Sequence, residues 1–98
     1  MHIILDKHYT VTQDGDNNVI VTRPSIMGTV NTHTITSCYD AFEIAKWLYN
    51  RTRRRAPMVQ DAFPIMKIED REFLMTGITP DIWAEVFKRE EEDEEEQD

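Results

Sequence analysis

The spacing of apolar residues changes once along this chain, near residue 37, and that change limits its fold more than any other feature. Before it, side chains alternate with the period of a strand. Tyr9-Thr10-Val11-Thr12 and Val19-Ile20-Val21-Thr22 are dominated by β-branched residues, which suit a pleated, half-buried surface. Between them, Gln13-Asp14-Gly15-Asp16-Asn17-Asn18 reads as a hairpin loop, where Asp and Asn bond locally and Gly15 tolerates positive φ. Arg23-Pro24-Ser25-Ile26-Met27-Gly28 interrupts the pattern, because Pro cannot donate to a central ladder and Gly28 marks a bend. Alternation then resumes from Thr29 to Thr36. Val30, Thr32, Thr34 and Thr36 share a face suited to water or a sheet edge, and Asn31, His33 and Ile35 share the other. This predicts an antiparallel sheet of about three strands with one wet face.

After residue 37 the period is helical. Ser37 is a candidate N-cap with Asp40 three residues on. Ala41, Ile44, Ala45 and Leu48 then share a face flanked by Phe42 and Trp47, and the pattern fades near Asn50. A second short helix is expected from Pro57 to before Pro64, and a third from about Glu69 to Thr76 with Gly77 as the left-handed terminator. Thr79-Pro80-Asp81 starts a last helix: Thr caps, Pro supplies a helical φ, and Asp meets the positive dipole end. Ile82, Trp83, Val86 and Phe87 form its apolar stripe. The fold class is therefore α+β, a sheet followed by three or four short helices.

The 98 residues suffice for one domain. Eight of the 19 acids lie in Glu90 to Asp98, which leaves 11 acids against 11 Lys and Arg in the remainder. The expected organisation is thus one neutral domain over 1–89 and a disordered acidic tail over 90–98. No run approaches the ~20 apolar residues of a membrane span. Asp6 also follows too closely on the N-terminal apolar run for a secretory segment. Cys38 stands alone, which excludes an intrachain disulfide and fits a small core or helix-entry residue in a reducing compartment. These features describe a soluble, cytoplasmic protein.

Little in the chain carries catalytic chemistry. His2, His8 and His33 have no recognisable metal-ligand spacing. The Asp-rich loop at 14–18 lacks the flanking helices and closing Glu of a calcium-binding EF-hand. Asp70 and Glu72, two apart on a helix, diverge and make no acid/base couple. The glycines at 15, 28 and 77 build no phosphate loop. The expectation is a non-enzymatic protein without cofactor or metal.

Two charged segments remain as candidate binding elements. Arg51, Arg53, Arg54 and Arg55 cluster at the end of the first helix, where cations complement the dipole. Four in five residues exceed what capping needs, and Trp47 and Tyr49 lie just upstream, a combination suited to phosphate and base contact. The neutral body, on the other hand, is unlike a dedicated nucleic-acid binder. The tail supplies Glu90, Glu91, Glu92, Asp93, Glu94, Glu95 and Glu96, with Lys88 and Arg89 before it. Three roles fit it: a solubiliser, a nucleic-acid mimic for a basic site elsewhere, or a shield folded back on Arg51–Arg55 and weakened by salt.

Val59-Gln60-Asp61-Ala62-Phe63-Pro64, then Asp70-Arg71-Glu72-Phe73-Leu74-Met75-Thr76-Gly77-Ile78-Thr79-Pro80-Asp81-Ile82-Trp83 and Phe87, resembles a signature of small bacteriophage-encoded proteins, many with acidic tails. The chain departs from it at Ile82, where a second acid is usual. The resemblance implies phage origin and no particular activity. Its apolar and aromatic residues are spaced to close two short helices around Gly77, with a face of Trp83 or Arg71-Glu72 left as a docking candidate.

These readings describe a phage-type binding or regulatory protein for a host or phage macromolecule, in which a protein partner is expected and nucleic acid is a further candidate through the arginines. A virion structural or assembly role and direct nucleic-acid binding through Arg51–Arg55 are the alternatives.

Overall fold

The computed structural model describes residues 1–85 of the chain. The expectations for Val86, Phe87, Lys88, Arg89 and the tail from Glu90 to Asp98 lie outside the described residues.

The N-terminal half forms a four-stranded antiparallel meander, β1 (His2–Asp6), β2 (Tyr9–Asp14), β3 (Asn18–Pro24) and β4 (Val30–Thr36), in the order β1-β2-β3-β4. The expectation of three strands missed β1. Its Ile3-Ile4-Leu5 run does not alternate, and it becomes a strand by pairing with β2, Ile3 opposite Val11. Ile4 then points outward and stays exposed, as an edge strand allows. Pro24 closes β3 opposite Val30, at the strand's end where no further ladder donor is needed.

Register puts Gln13, Val19 and Ile35 in one inner row, and Ile3, Val11, Val21 and His33 in the next. Val11, Val19, Val21 and Ile35 are completely buried. The outer face carries threonines, with Thr22 and Thr32 hydroxyls 2.8 Å apart across the β3–β4 pair. The wet face expected for Val30, Thr32, Thr34 and Thr36 is present: all four are exposed.

Helix α1 (Ala41–Thr52) lies across β1 and β2 and buries Ala41, Ile44, Ala45, Trp47 and Leu48. Its N-cap is Asp40, whose Oδ1 accepts from the Glu43 amide at 2.8 Å. Ser37, the expected cap, instead accepts from the Tyr39 amide in a turn ahead of the helix. Cys38, in that turn, is exposed and not in the core. Helix α2 (Val59–Ala62) starts later than the predicted Pro57, because the Pro57 carbonyl accepts the Trp47 indole N–H at 3.0 Å. Phe63 packs edge-on against Tyr39 and Trp47, at 4.8 and 6.1 Å between centroids. It therefore belongs to the α1–α2 side and not to a hairpin around Gly77.

Helix α3 (Ile68–Thr76) inserts Phe73 and Leu74 into the core and ends at Gly77 with φ 74°, as expected. Residues 80–85 are again helical, with the Trp83 amide donating to the Thr79 carbonyl at 3.1 Å.

The polar members of the inner face tie sheet to helices. Gln13 Oε1 accepts from the Ala41 amide at 2.8 Å. His33 Nε2 meets Asp70 Oδ1 at 2.6 Å, with the His33 ring 5.1 Å from that of Phe73. Asp70, read only as diverging from Glu72 on the helix, is buried. Asn31 Nδ2 donates to the Gly77 carbonyl at 2.8 Å, and Arg23 Nη1 donates to the Leu74 carbonyl. Each such bond satisfies a group that would otherwise be stranded in the interior.

Candidate anion-binding site

The arginine run does not continue the helix. Arg54 N–H donates to the Arg51 carbonyl at 3.0 Å, Arg55 N–H donates to the Asn50 carbonyl at 2.8 Å, and Arg54 has φ 60°. These two bonds and the left-handed residue make a Schellman ending, in which the left-handed position usually falls to Gly. Here it is held by Arg, at a conformational cost of about 1–2 kcal/mol. The turn separates Arg51 from Arg55, which a continued helix would have stacked on one face, and leaves Arg51 and Arg54 on one cavity and Arg53 on another.

Arg51 and Arg54 share a cavity with Arg23. Together with Tyr9, Ile26, Leu48 and Met75, these arginines line a surface cavity of about 510 Å³ between the end of α1, the β3–β4 turn and α3. Arg23 is only 8% exposed. Its Nε donates to the Pro24 carbonyl at 2.9 Å and Nη1 to Leu74, while Nη2 has no protein acceptor among the described residues. Nor is Nη2 sealed in the interior, since it is not among the buried atoms that lack partners. The Arg23 guanidinium lies 5.8 Å from the centroid of the Tyr9 ring. Burial pushes its pKa down; Tyr9 opposes that shift and the Arg51 charge reinforces it. Arginine nonetheless stays protonated at any ordinary pH.

Arg53 does not line that cavity. Its guanidinium stacks 4.5 Å from the centroid of Tyr49, which is 44% exposed. Arg53 and Tyr49 line a second cavity of about 340 Å³ with Leu5, Asp6, Tyr9 and Thr52. Tyr9 and Thr52 also line the first cavity, so the two adjoin. Arg55 is exposed and lines neither of them.

Trp47, expected as a stacking partner for a base, is buried, and its indole N–H is used by Pro57. It offers Arg51 a ring 5.4 Å away but presents no free face to a ligand. Tyr49 is the aromatic residue available at this surface. Trp83 stands apart from the arginines, in a groove with Ile68, Glu69, Glu72 and Pro80.

Among the described residues no carboxylate comes within 4.0 Å of a Lys or Arg nitrogen, and the one acid–base contact at that range is His33 with Asp70. Three arginines thus line the first cavity with no carboxylate within 4.0 Å of their nitrogens among the described residues. Such a grouping of like charges is unfavourable in the empty state and favourable once an anion enters. The histidines are not grouped in the same way. His2 lies on β1 and His33 on β4, the two edges of the sheet, roughly 14 Å apart at the usual strand spacing.

Sequence reasoning missed Arg23 and Tyr9. The signal was there: Arg23 is in phase with Val19 and Val21, so alternation alone directs it inward. No family model, curated protein or solved structure matches this chain. Among the described residues, no helix is long and apolar enough to cross a membrane.

Proposed function

We propose that this protein is a non-catalytic binding module, phage-encoded and cytoplasmic, that engages nucleic acid through the arginine face at the end of α1. The observation that carries this reading is the meeting of Arg23, Arg51 and Arg54 at one cavity with no carboxylate within 4.0 Å of them among the described residues. Arg53 stacked on exposed Tyr49 extends the same face with a cation and a ring, the two elements that hold a strand by its phosphates and bases. The neutral body argues for contact confined to this patch, with affinity falling steeply as salt rises. The resemblance of residues 59–87 to small phage proteins supports the origin, and the exposed Cys38 thiol fits a reducing compartment. Fluorescence anisotropy of a labelled single-stranded oligonucleotide at low salt tests the reading. Binding that is lost on substituting Arg51, Arg53, Arg54 and Arg55 by Gln supports it. No binding to the full chain, nor to a chain ending at Arg89, sinks it.

A protein partner is a second reading, favoured by the surface around the start of α3. Ile65 and Ile68 are 73% and 70% exposed, and Ile68 borders the groove that holds Trp83. Large apolar side chains displayed beside a groove are a feature of docking surfaces. Capture of a defined partner by the native chain and not by Ile68→Glu would support that reading, and equal capture by both would remove the groove from it.

A further inference from the structure

The two cavities beside the arginine run differ in kind, and the difference points to a ligand. The cavity at Arg53 is lined by one arginine, one tyrosine and the acid Asp6. A strand backbone passing there would meet one charge. The cavity at Arg23 has three arginines and no acid in its lining, with an apolar wall of Ile26, Leu48, Ala56 and Met75. Its volume of about 510 Å³ falls within the roughly 300–1,000 Å³ of small-molecule sites and exceeds what a phosphate alone would fill.

Arg23 is fixed in place before any ligand arrives. Two of its nitrogens are anchored on backbone carbonyls, of Pro24 and Leu74, and the third is left over. A buried guanidinium held on both flanks loses little freedom when it binds, and its fork suits phosphate oxygens. Arg54 lines the same cavity from a backbone conformation that costs free energy in an Arg and would be nearly free in a Gly.

The count of charges distinguishes two kinds of phosphate. A phosphodiester brings one negative charge, whereas a phosphomonoester brings about −1.5 to −2 at pH 7 and three strong acceptor oxygens. Three arginines on one cavity suit the monoester, and the apolar wall suits the nucleoside to which it is attached. We infer that the cavity of Arg23, Arg51 and Arg54 is a pocket for the terminal phosphate of a nucleic-acid strand, with the terminal nucleoside against Ile26, Leu48 and Met75. This rests on the nucleic-acid reading above and adds to it a preference for strand ends.

The experiment measures anisotropy of the full chain with one single-stranded oligonucleotide prepared in three forms: 5′-phosphorylated, 3′-phosphorylated and with hydroxyl ends. At 0.15 M salt, one phosphorylated form should bind roughly tenfold more tightly than the hydroxyl form, the equivalent of one good charge-assisted contact. Arg51→Gln with Arg54→Gln, both at exposed positions, should abolish that preference. Arg53→Gln with Arg55→Gln should weaken all three forms by the same factor and leave the preference intact. Arg23→Lys is the complementary variant, with circular dichroism to confirm its fold. Equal binding of all three forms by the native chain overturns the pocket and leaves surface binding standing. Loss of preference in both double variants alike also overturns it. Absence of binding to every form at low salt, by the full chain and by a chain ending at Arg89, removes the nucleic-acid reading and the pocket with it. Competition by inorganic phosphate or a free mononucleotide separates a pocket that needs the strand from one that takes the monoester alone. In either case competition should be lost in the Arg51/Arg54 variant, and competition that survives there overturns the assignment.

Discussion

Asn31 Nδ2 donates to the carbonyl of Gly77 at 2.8 Å, joining the first residues of β4 to the residue that ends α3, 46 positions later. Around this bond the β3–β4 turn and the helix end are pressed together. The Ile26 amide donates to the Thr76 carbonyl at 2.9 Å, and Gly77 lies against the backbone of Pro24 and Ser25. A Cβ on Gly77 would come within 2.6 Å of Ser25 Cα and closer still to the Pro24 carbonyl oxygen, and the φ of 74° is already left-handed. Gly77→Ala should therefore be among the most damaging single substitutions. The left-handed conformation costs a non-glycine residue about 1–2 kcal/mol, and forcing an extra methyl into packed backbone adds about 1–3 kcal/mol. Urea denaturation should show a loss of roughly 2–5 kcal/mol from these terms together. A loss below about 1 kcal/mol would mean that the turn moves away from α3 at little cost.

The His33–Asp70 contact makes a second, separable prediction. Asp70 is 4% exposed and meets His33 Nε2 at 2.6 Å. Asp70→Ala removes the acceptor and leaves the imidazole facing Phe73 and an emptied site, which should cost about 1–3 kcal/mol. Asp70→Asn keeps the shape and one acceptor oxygen, so it should cost less. Equilibrium unfolding of the two variants gives the order, and an equal loss for both would assign the effect to charge and not to the hydrogen bond.

Much of this fold could be read from short-range pattern. Thr29 to Thr36 alternates without a break, and its wet and buried faces are those the alternation assigns. Gly77 and Thr79-Pro80-Asp81 act through local backbone preference, and they end one helix and begin the next as expected. What stayed hidden was long-range. β1 exists because β2 pairs with it, and Asp70 is buried because His33 comes to it from β4. The Arg51–Arg55 cluster was visible as composition. Its division into a cavity pair, a stacked arginine and a bystander follows from the turn at Arg54, and a run of identical residues carries no sign of that turn. Arg23 has the inward phase of β3, but Pro24 beside it breaks the strand pattern at that point and hides the phase.

Arg54 links stability to the proposed site. Its φ of 60° occupies the position of a Schellman ending where Gly is favoured. Arg54→Gly should raise unfolding stability by about 0.5–1 kcal/mol, because the strained residue is relieved while glycine's added freedom in the unfolded chain offsets part of the gain. The same change should weaken oligonucleotide binding. Thermal unfolding and anisotropy on the one variant check both halves. If Arg54→Gly gains stability without losing affinity, the guanidinium plays no part in binding.

On the nucleic-acid reading, the acidic residues 90–98 should oppose binding through their charge. Removing Glu90–Asp98 takes the formal net charge from −8 to zero without touching residues 1–85. A chain at −8 repels a polyanion over distances set by the ionic atmosphere, about 10 Å at 0.1 M salt and 3 Å at 1 M. Truncation after Arg89 should therefore tighten oligonucleotide binding at low salt, and the gain should shrink steadily as salt rises. Affinities of the full and truncated chains, measured from low to high salt, make the comparison. Both should fall with salt because the arginines displace counterions from phosphate. The truncated chain should fall more steeply, since the full chain also loses a repulsion as salt increases. Parallel salt dependences with equal affinities would show that the acidic segment does not oppose this ligand, and would leave its charge to serve another partner or solubility.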